Sequence, residues 1–205
     1  MRILRFDISS RLLHWSHAVF FIWLLITGIG MFLTPKSLLG NPLLKMAHVY
    51  ASLPFISVPI LIYILSSTRD DISELKSWAG EDLKWFIEIL KNNKTHVTGK
   101  FSGGQKTNFF LTLLLIIGLS SSGFIIWMKS MFSVSFIEFS FIVHDFLAEI
   151  AILLLAGHII FTLFNIESLK GIINGEVNSE WAEKHYPAWV CGKIEVNKND
   201  AKRYI

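Results

Sequence analysis

The chain has 205 residues, 52% hydrophobic and 17% charged, with a mean hydropathy of +0.50, a net charge of +3 and a pI near 9.0. That apolar content exceeds what an ordinary soluble domain carries and reads as a membrane protein; the basic residues are spread between apolar runs and form no single stripe, which sets a nucleic-acid partner aside. One cysteine, Cys191, excludes an intrachain disulfide, a cysteine-rich iron–sulfur site and a C-x-x-C-H haem attachment, so any haem is held non-covalently.

In chain order, four segments are apolar over the roughly 20 residues that a helix needs to cross a hydrocarbon core of about 30 Å: 12–33, 47–66, 108–128 and 141–164. In the first, "VFFIWLLITGIGMFL" is preceded by "HWSH" and followed by "TPKS" with no small-residue cleavage pattern, so it is expected to be a mature helix and not a signal peptide. The second contains Pro54 and Pro59, which bend or locally open it. Backbone in lipid must satisfy its own hydrogen bonds, so the expected fold is all-α, a four-transmembrane-helix up-and-down bundle forming a single membrane domain. No repeat of 20–50 residues is apparent.

Between the second and third spans, residues 67–107 are too long for a plain loop. Ile72, Leu75, Trp78 and Ala79, then Leu83, Phe86, Ile87 and Leu90, recur at near-helical spacing, which predicts an amphipathic helix or helix pair on the cytoplasmic membrane surface. Packing against a soluble partner is the alternative. The tail, 165–205, mixes aromatic and charged residues around Pro187 and reads as a second interfacial or partner-docking piece. Counting Lys and Arg alone, the N-terminus, the middle connection and the tail hold 16, against three on the other side, Lys36, Lys45 and Lys129. Both termini and the long connection are therefore expected on the cytoplasmic side of the inner membrane.

Seven histidines occur, and five of them, His14, His17, His48, His144 and His158, fall in or at the edges of the membrane spans. An ionisable side chain in hydrocarbon is costly and by default marks a site; a single histidine is more often a hydrogen-bonded contact between helices. Depth changes that reading. His144 and His158 lie on nearly one face of the fourth span, about 21 Å apart along its axis. With the N-terminus inside, His14 shares the cytoplasmic depth of His158, and His48 shares the outer depth of His144. Two bis-histidine haems stacked through the bilayer account for both pairs together. His17, one turn after His14, is an alternative ligand. Gly28, Gly30, Gly118, Gly123 and Gly157 either make room for a porphyrin or allow close helix packing. Asp145 is expected to be solvated or to orient a ligand. Glu149 is expected to contact another helix or subunit, with a proton path as the alternative.

The motifs "RFDISSRLLHWSHAVFF" with "TG", "KMAHVYAS", "GKFSGGQK", "SGFIIW", "VHDFLAEI" with "GHIIF", and "GIINGEVNSEWAEKHYPAW" span nearly the whole chain in order. With them the chain resembles the gamma, cytochrome b, subunit of membrane-bound formate dehydrogenase, within a dihaem cytochrome b family shared with nickel–iron hydrogenase cytochrome b. The resemblance implies that His14 and His158 ligate a cytoplasmic-side haem b, with His14 preferred over His17, and that His48 and His144 ligate an outer haem b. It also implies that quinone is reduced near the inner haem, by His158 and the "SGGQK" turn, with Ser102, the Gly104 backbone and Gln105 as contacts. The family usually has Asn where this chain has Ser102, a shorter side chain that a water could bridge to quinone. The bland reading of the turn is the beginning of the third span, with Gly103 and Gly104 supplying flexibility.

On this reading, an iron–sulfur subunit docks on the outer face near Lys36, Lys45 and Lys129. Electrons pass inward through two haems to a menaquinone-like quinone that takes its protons from the cytoplasm. Formate oxidation belongs to a separate catalytic subunit, within a complex that itself forms a higher oligomer or does not. Rival readings are the cytochrome b of a hydrogenase or of a thiosulfate or polysulfide reductase, a His-lined proton or metal transporter, and a passive anchor for a partner enzyme.

Overall fold

The computed structural model describes residues 1–33, 42–65, 68–91 and 99–193. Lys36, Lys94, His96 and residues 194–205, on which parts of the expectations above fall, lie outside the described residues. The chain runs β1 (Arg2–Leu4), α1 (Ile8–Leu33), α2 (Pro42–Leu65), α3 (Thr68–Lys76), α4 (Gly80–Leu90), α5 (Gly103–Trp127), a 3₁₀ turn (Lys129–Met131), α6 (Val134–Phe164), α7 (Ile166–Asn174), β2 (Glu176–Asn178), α8 (Ser179–His185) and a last helix, α9, over 187–193. Among the described residues, α1, α2, α5 and α6 are long and apolar enough to cross a membrane. The long helices make an all-α bundle, accompanied by one two-stranded ribbon.

All four spans start earlier than their apolar runs. The first begins at Ile8 and not 12, the second at Pro42 and not 47, the third at Gly103 and not 108, and the fourth at Val134 and not 141. Hydropathy marks only the stretch that lipid requires, whereas the helix continues while its backbone can be capped. Proline suits the first helical position because its missing N–H would have no intrahelical partner there. At 31 residues α6 is about 46 Å long, so its first turns outrun a hydrocarbon core of about 30 Å. Pro54 and Pro59 lie inside a continuous α2.

The chain divides into two compact units. One comprises Ile8–Thr68 and Thr112–Asn165 and holds most of the length of the four long helices. Its apolar side chains face outward: Leu114, Ile142 and Leu153 are all more than 60% exposed, the inverse of a water-soluble core and the pattern lipid stabilises. Within it α1 packs on α2, and α6 reaches α1, α2 and α5 through ring and side-chain contacts.

The other unit comprises Met1–Asp7, Arg69–Leu111 and Ile166–Ile205. Here β1 pairs antiparallel with β2, Ile3 opposite Val177. The backbone N–H groups of Arg5 and Phe6 both donate to the Gly175 carbonyl, and Gly175 has φ 91°, a left-handed conformation that glycine adopts without strain. Val177, Ala182 and Val190 form a small core against Ile3, Trp181 and Trp189. The Asn178 side chain caps α8 by accepting from Trp181 N–H. Residues 68–90 form the helix pair α3 and α4.

Candidate functional site

The histidines of the four-helix unit meet across helices in two pairs. His14 of α1 and His158 of α6 have ring centroids 6.1 Å apart, and His48 of α2 and His144 of α6 have theirs 6.4 Å apart. A metal–imidazole nitrogen bond is about 2 Å, and the ring centre lies roughly 1 Å further, so two imidazoles on opposite sides of one metal have centroids about 6 Å apart. Both pairs have a spacing that two imidazoles sharing one metal could take. His17, on nearly the same face as His14, instead stacks on the buried Phe55 ring, 4.4 Å away with the planes at 27°.

Among the described residues no group of three or more His, Cys, Asp or Glu is arranged to hold a metal ion. Two imidazoles alone make a poor cage for a bare cation, but they suit a macrocycle that supplies its own equatorial nitrogens. The chain's donors and spacing therefore fit haem.

The second nitrogen of each imidazole differs between the pairs. His48 Nδ1 lies 2.8 Å from the Thr27 hydroxyl of α1, and His144 Nδ1 lies 3.0 Å from the Ser122 hydroxyl of α5. Both hydroxyl residues are buried. A β-carbon built at Gly28 would meet His48 Cε1 at 3.5 Å, and one at Gly123 would meet His144 Cε1 at 3.3 Å. Each ring thus lies across a glycine that directly follows its hydroxyl partner. The motifs "TG" and "SGFIIW" contain these hydroxyls, but spacing along the chain assigns them no role; their only signal is a Ser or Thr before glycine in a neighbouring span. Gly118 serves helix packing, since its β-carbon would meet Leu147 Cδ1 at 2.5 Å. Nothing lies within 4 Å of a β-carbon at Gly157.

Asp145 and Glu149 are both exposed on α6. Among the described residues the Glu149 carboxylate has no hydrogen bond or ion pair with another helix.

In the second unit, the turn at Ser102–Gln105 is a reciprocal cap. Ser102 N–H donates to Gln105 Oε1 at 3.0 Å, and Gln105 N–H approaches Ser102 Oγ at 3.4 Å, the Ser-x-x-Gln arrangement that satisfies two of the orphan donors at a helix start. Ser102 is buried and Gln105 half-buried, and the Tyr186 hydroxyl reaches the same Oε1 at 3.5 Å. The amide oxygen of Gln105 is therefore engaged, while among the described residues its amide nitrogen has no hydrogen-bond partner. Gly103 and Gly104 are required for close approach. Their β-carbons would lie 2.5 Å from the Asp82 carbonyl oxygen and 2.5 Å from the Trp85 ring respectively. Flexibility is not their role.

Behind that turn, the buried Lys106 ammonium donates to Asp82 Oδ2 at 2.8 Å and to the Ser77 carbonyl at 2.7 Å. Asp82 Oδ2 also accepts from Ala79 N–H, so α4 is tied to the first turn of α5. Lys100 pairs with Asp71. Arg5 is buried, donates to the Lys100 carbonyl at 2.9 Å and stacks its guanidinium 3.9 Å from the Tyr186 ring centre, an arrangement stabilised by the cation–π attraction. The motifs "RFD", "GKFSGGQK" and "KHYPAW" thus converge in one unit.

The chain matches known proteins over most of its length. The family described as prokaryotic cytochrome b561 matches residues 5–175. The cytochrome b556(fdo) subunit of formate dehydrogenase from Escherichia coli K12 is 29% identical, over 98% of this chain and 96% of that protein. The nitrate-inducible formate dehydrogenase cytochrome b556(Fdn) subunit of the same organism is 27% identical, over 98% and 94%. The formate dehydrogenase cytochrome b556 subunit of Haemophilus influenzae is 28% identical, over 95% and 86%.

Proposed function

The chain belongs to the prokaryotic cytochrome b561 family, and on that premise we propose that it is the dihaem cytochrome b subunit of a formate dehydrogenase complex in the inner membrane. In this role it carries electrons from an iron–sulfur subunit on the outer side to a menaquinone-like quinone reduced near the cytoplasmic side. Haem b, when bound, supplies a one-electron couple. The observation that supports the reading is the pair of cross-helix histidine contacts at a spacing that one metal could bridge, His14 with His158 and His48 with His144. The names of the relatives supply formate dehydrogenase as the complex.

Each histidine would present one ring nitrogen to the iron, and helix packing brings the ring centres of the two pairs to 6.1 and 6.4 Å. Gln105 would donate from its amide nitrogen to a quinone carbonyl, with Ser102 and the Gly104 backbone as the neighbouring contacts. The cap at Ser102 suits this use because it fixes which end of the Gln105 amide points away. Reduction of quinone to quinol consumes two electrons and two protons, the protons entering from the cytoplasm; formate oxidation to carbon dioxide releases the two electrons on another subunit. Orientation with both termini in the cytoplasm rests on the Lys and Arg distribution.

Haem counted per chain by pyridine haemochrome, in the parent and in four His→Ala variants, tests the assignment. Two haems are expected in the parent. His14→Ala and His158→Ala should lose one of them, and His48→Ala and His144→Ala the other. A colourless parent, or variants that all retain two haems, would sink the reading. Subunits that co-purify with the chain identify the electron donor.

A further inference from the structure

Resting on the proposed haem ligation, we propose that Thr27 and Ser122 are positioning residues that set the tautomer of His48 and His144 and the redox potential of the haem those two histidines hold. A hydroxyl has one proton to give. Thr27 Oγ1 lies 2.8 Å from the Trp23 carbonyl and 3.1 Å from the Leu24 carbonyl of its own helix, so its proton is directed back along α1 and its oxygen faces His48 Nδ1 as an acceptor. Ser122 repeats the arrangement on α5, with the Gly118 carbonyl at 2.7 Å and the Leu119 carbonyl at 3.2 Å. In both cases Nδ1 is the nitrogen that carries the proton. Nε2 is left with its lone pair, the state an iron ligand needs.

The arrangement is duplicated on different helices: α1 seats a histidine of α2, and α5 seats a histidine of α6. Each hydroxyl is followed by a glycine over which the ring lies, where a β-carbon would make ordinary contact with His48 and a tight one with His144. His14 and His158 lack this device, since among the described residues neither imidazole has a side-chain hydrogen bond. An imidazole whose Nδ1–H is donated becomes a stronger electron donor to its metal. That stabilises the ferric state, so the two hydroxyls hold the His48–His144 haem at a lower potential than it would otherwise have.

The test is a spectroscopic redox titration of the purified complex, with haem counted per chain, for Thr27→Val, Thr27→Ser, Ser122→Ala and Ser122→Thr. Valine matches the shape of threonine without the acceptor oxygen. Thr27→Val and Ser122→Ala are each expected to raise the potential of the same one haem, and to weaken its retention by about tenfold or more, as loss of such a hydrogen bond typically does. Thr27→Ser and Ser122→Thr should keep the parent potential. Both potentials unchanged in Thr27→Val and Ser122→Ala would overturn the proposal, as would shifts in different haems. Loss of both haems in Thr27→Val and Thr27→Ser alike would also overturn it, because packing alone would then explain the residue. A parent without haem overturns the functional reading itself, and a dihaem parent with unshifted variants overturns only this inference.

Discussion

The two units of the chain are stabilised by opposite means. In the four-helix unit the long apolar side chains face outward, and the polar groups that matter are a few hydroxyls and imidazoles turned inward. The backbone bonds are all local, as lipid demands. The other unit is joined from three distant stretches of sequence, and its joints are polar or shape-based: a buried ion pair, a reciprocal cap, a strand ribbon and glycines under rings and carbonyls. The difference teaches where damage should fall. Side-chain changes in the first unit should act mainly on what the histidines hold, and those in the second on whether it stays folded.

The strongest way to break that contrast is Lys106→Met. Removing the ammonium leaves the Asp82 carboxylate buried without its partner, which typically costs about 3–5 kcal/mol. The thermal midpoint of the detergent-solubilised chain should fall, and hydrogen exchange should quicken in α4 and the first turn of α5. Adding Asp82→Leu should recover much of the loss, since a buried pair replaced by apolar groups is often near neutral. An unshifted midpoint in the single variant would show that the ion pair holds nothing. A sharper comparison sets Gly103→Ala against Gly118→Ala. Both β-carbons would meet a neighbour at 2.5 Å, but at Gly103 it is the Asp82 backbone carbonyl and at Gly118 the end of the Leu147 side chain. Leucine can turn to another rotamer for about 1 kcal/mol or less, whereas overpacking against backbone costs about 1–3 kcal/mol. Equal midpoints for the two variants would refute the distinction.

The sequence made these regions legible to different degrees. The four spans were visible because crossing lipid takes an unbroken apolar run, and the histidines were visible because hydrocarbon makes each of them conspicuous. Their helix starts were not, because the first turns at Ile8, Pro42, Gly103 and Val134 lie outside the run that hydropathy weighs. The helix pair α3 and α4 followed from the periodicity of Ile72 through Leu90. The ribbon β1–β2 was missed: its strands are three residues each, too short to show alternation, and Arg2 pairs with Asn178 across almost the whole chain. At Ser102 and Gln105 the spacing of a cap is present in the letters, yet the resemblance points to quinone. The structure gives those residues a folding role in which the Gln105 amide oxygen is engaged. The seats at Thr27 and Ser122 were illegible because they depend on which helices are neighbours.

The smallest expected effect lies at Glu167, in the first turn of α7. A hydrogen bond from Lys170 is the main influence lowering its carboxyl below the ordinary 4.5, and a second from the Asn178 backbone N–H adds to it. A carboxyl with a depressed pKa in the folded chain contributes stability that is fully present above its unfolded pKa and is lost as pH falls through the folded value. The ribbon end at Asn178 should therefore hold from neutral pH down to about 4.5 and loosen below it. Lys170 is well exposed, so water and salt screen the pair and the contribution stays below about 1 kcal/mol. Hydrogen exchange of the Asn178 amide as a function of pH, corrected for intrinsic rates, checks this. Glu167→Gln should flatten the profile without unfolding the unit, because a neutral amide still accepts from Asn178 but no longer titrates. A profile equally steep in the variant would assign the acid sensitivity to another carboxylate.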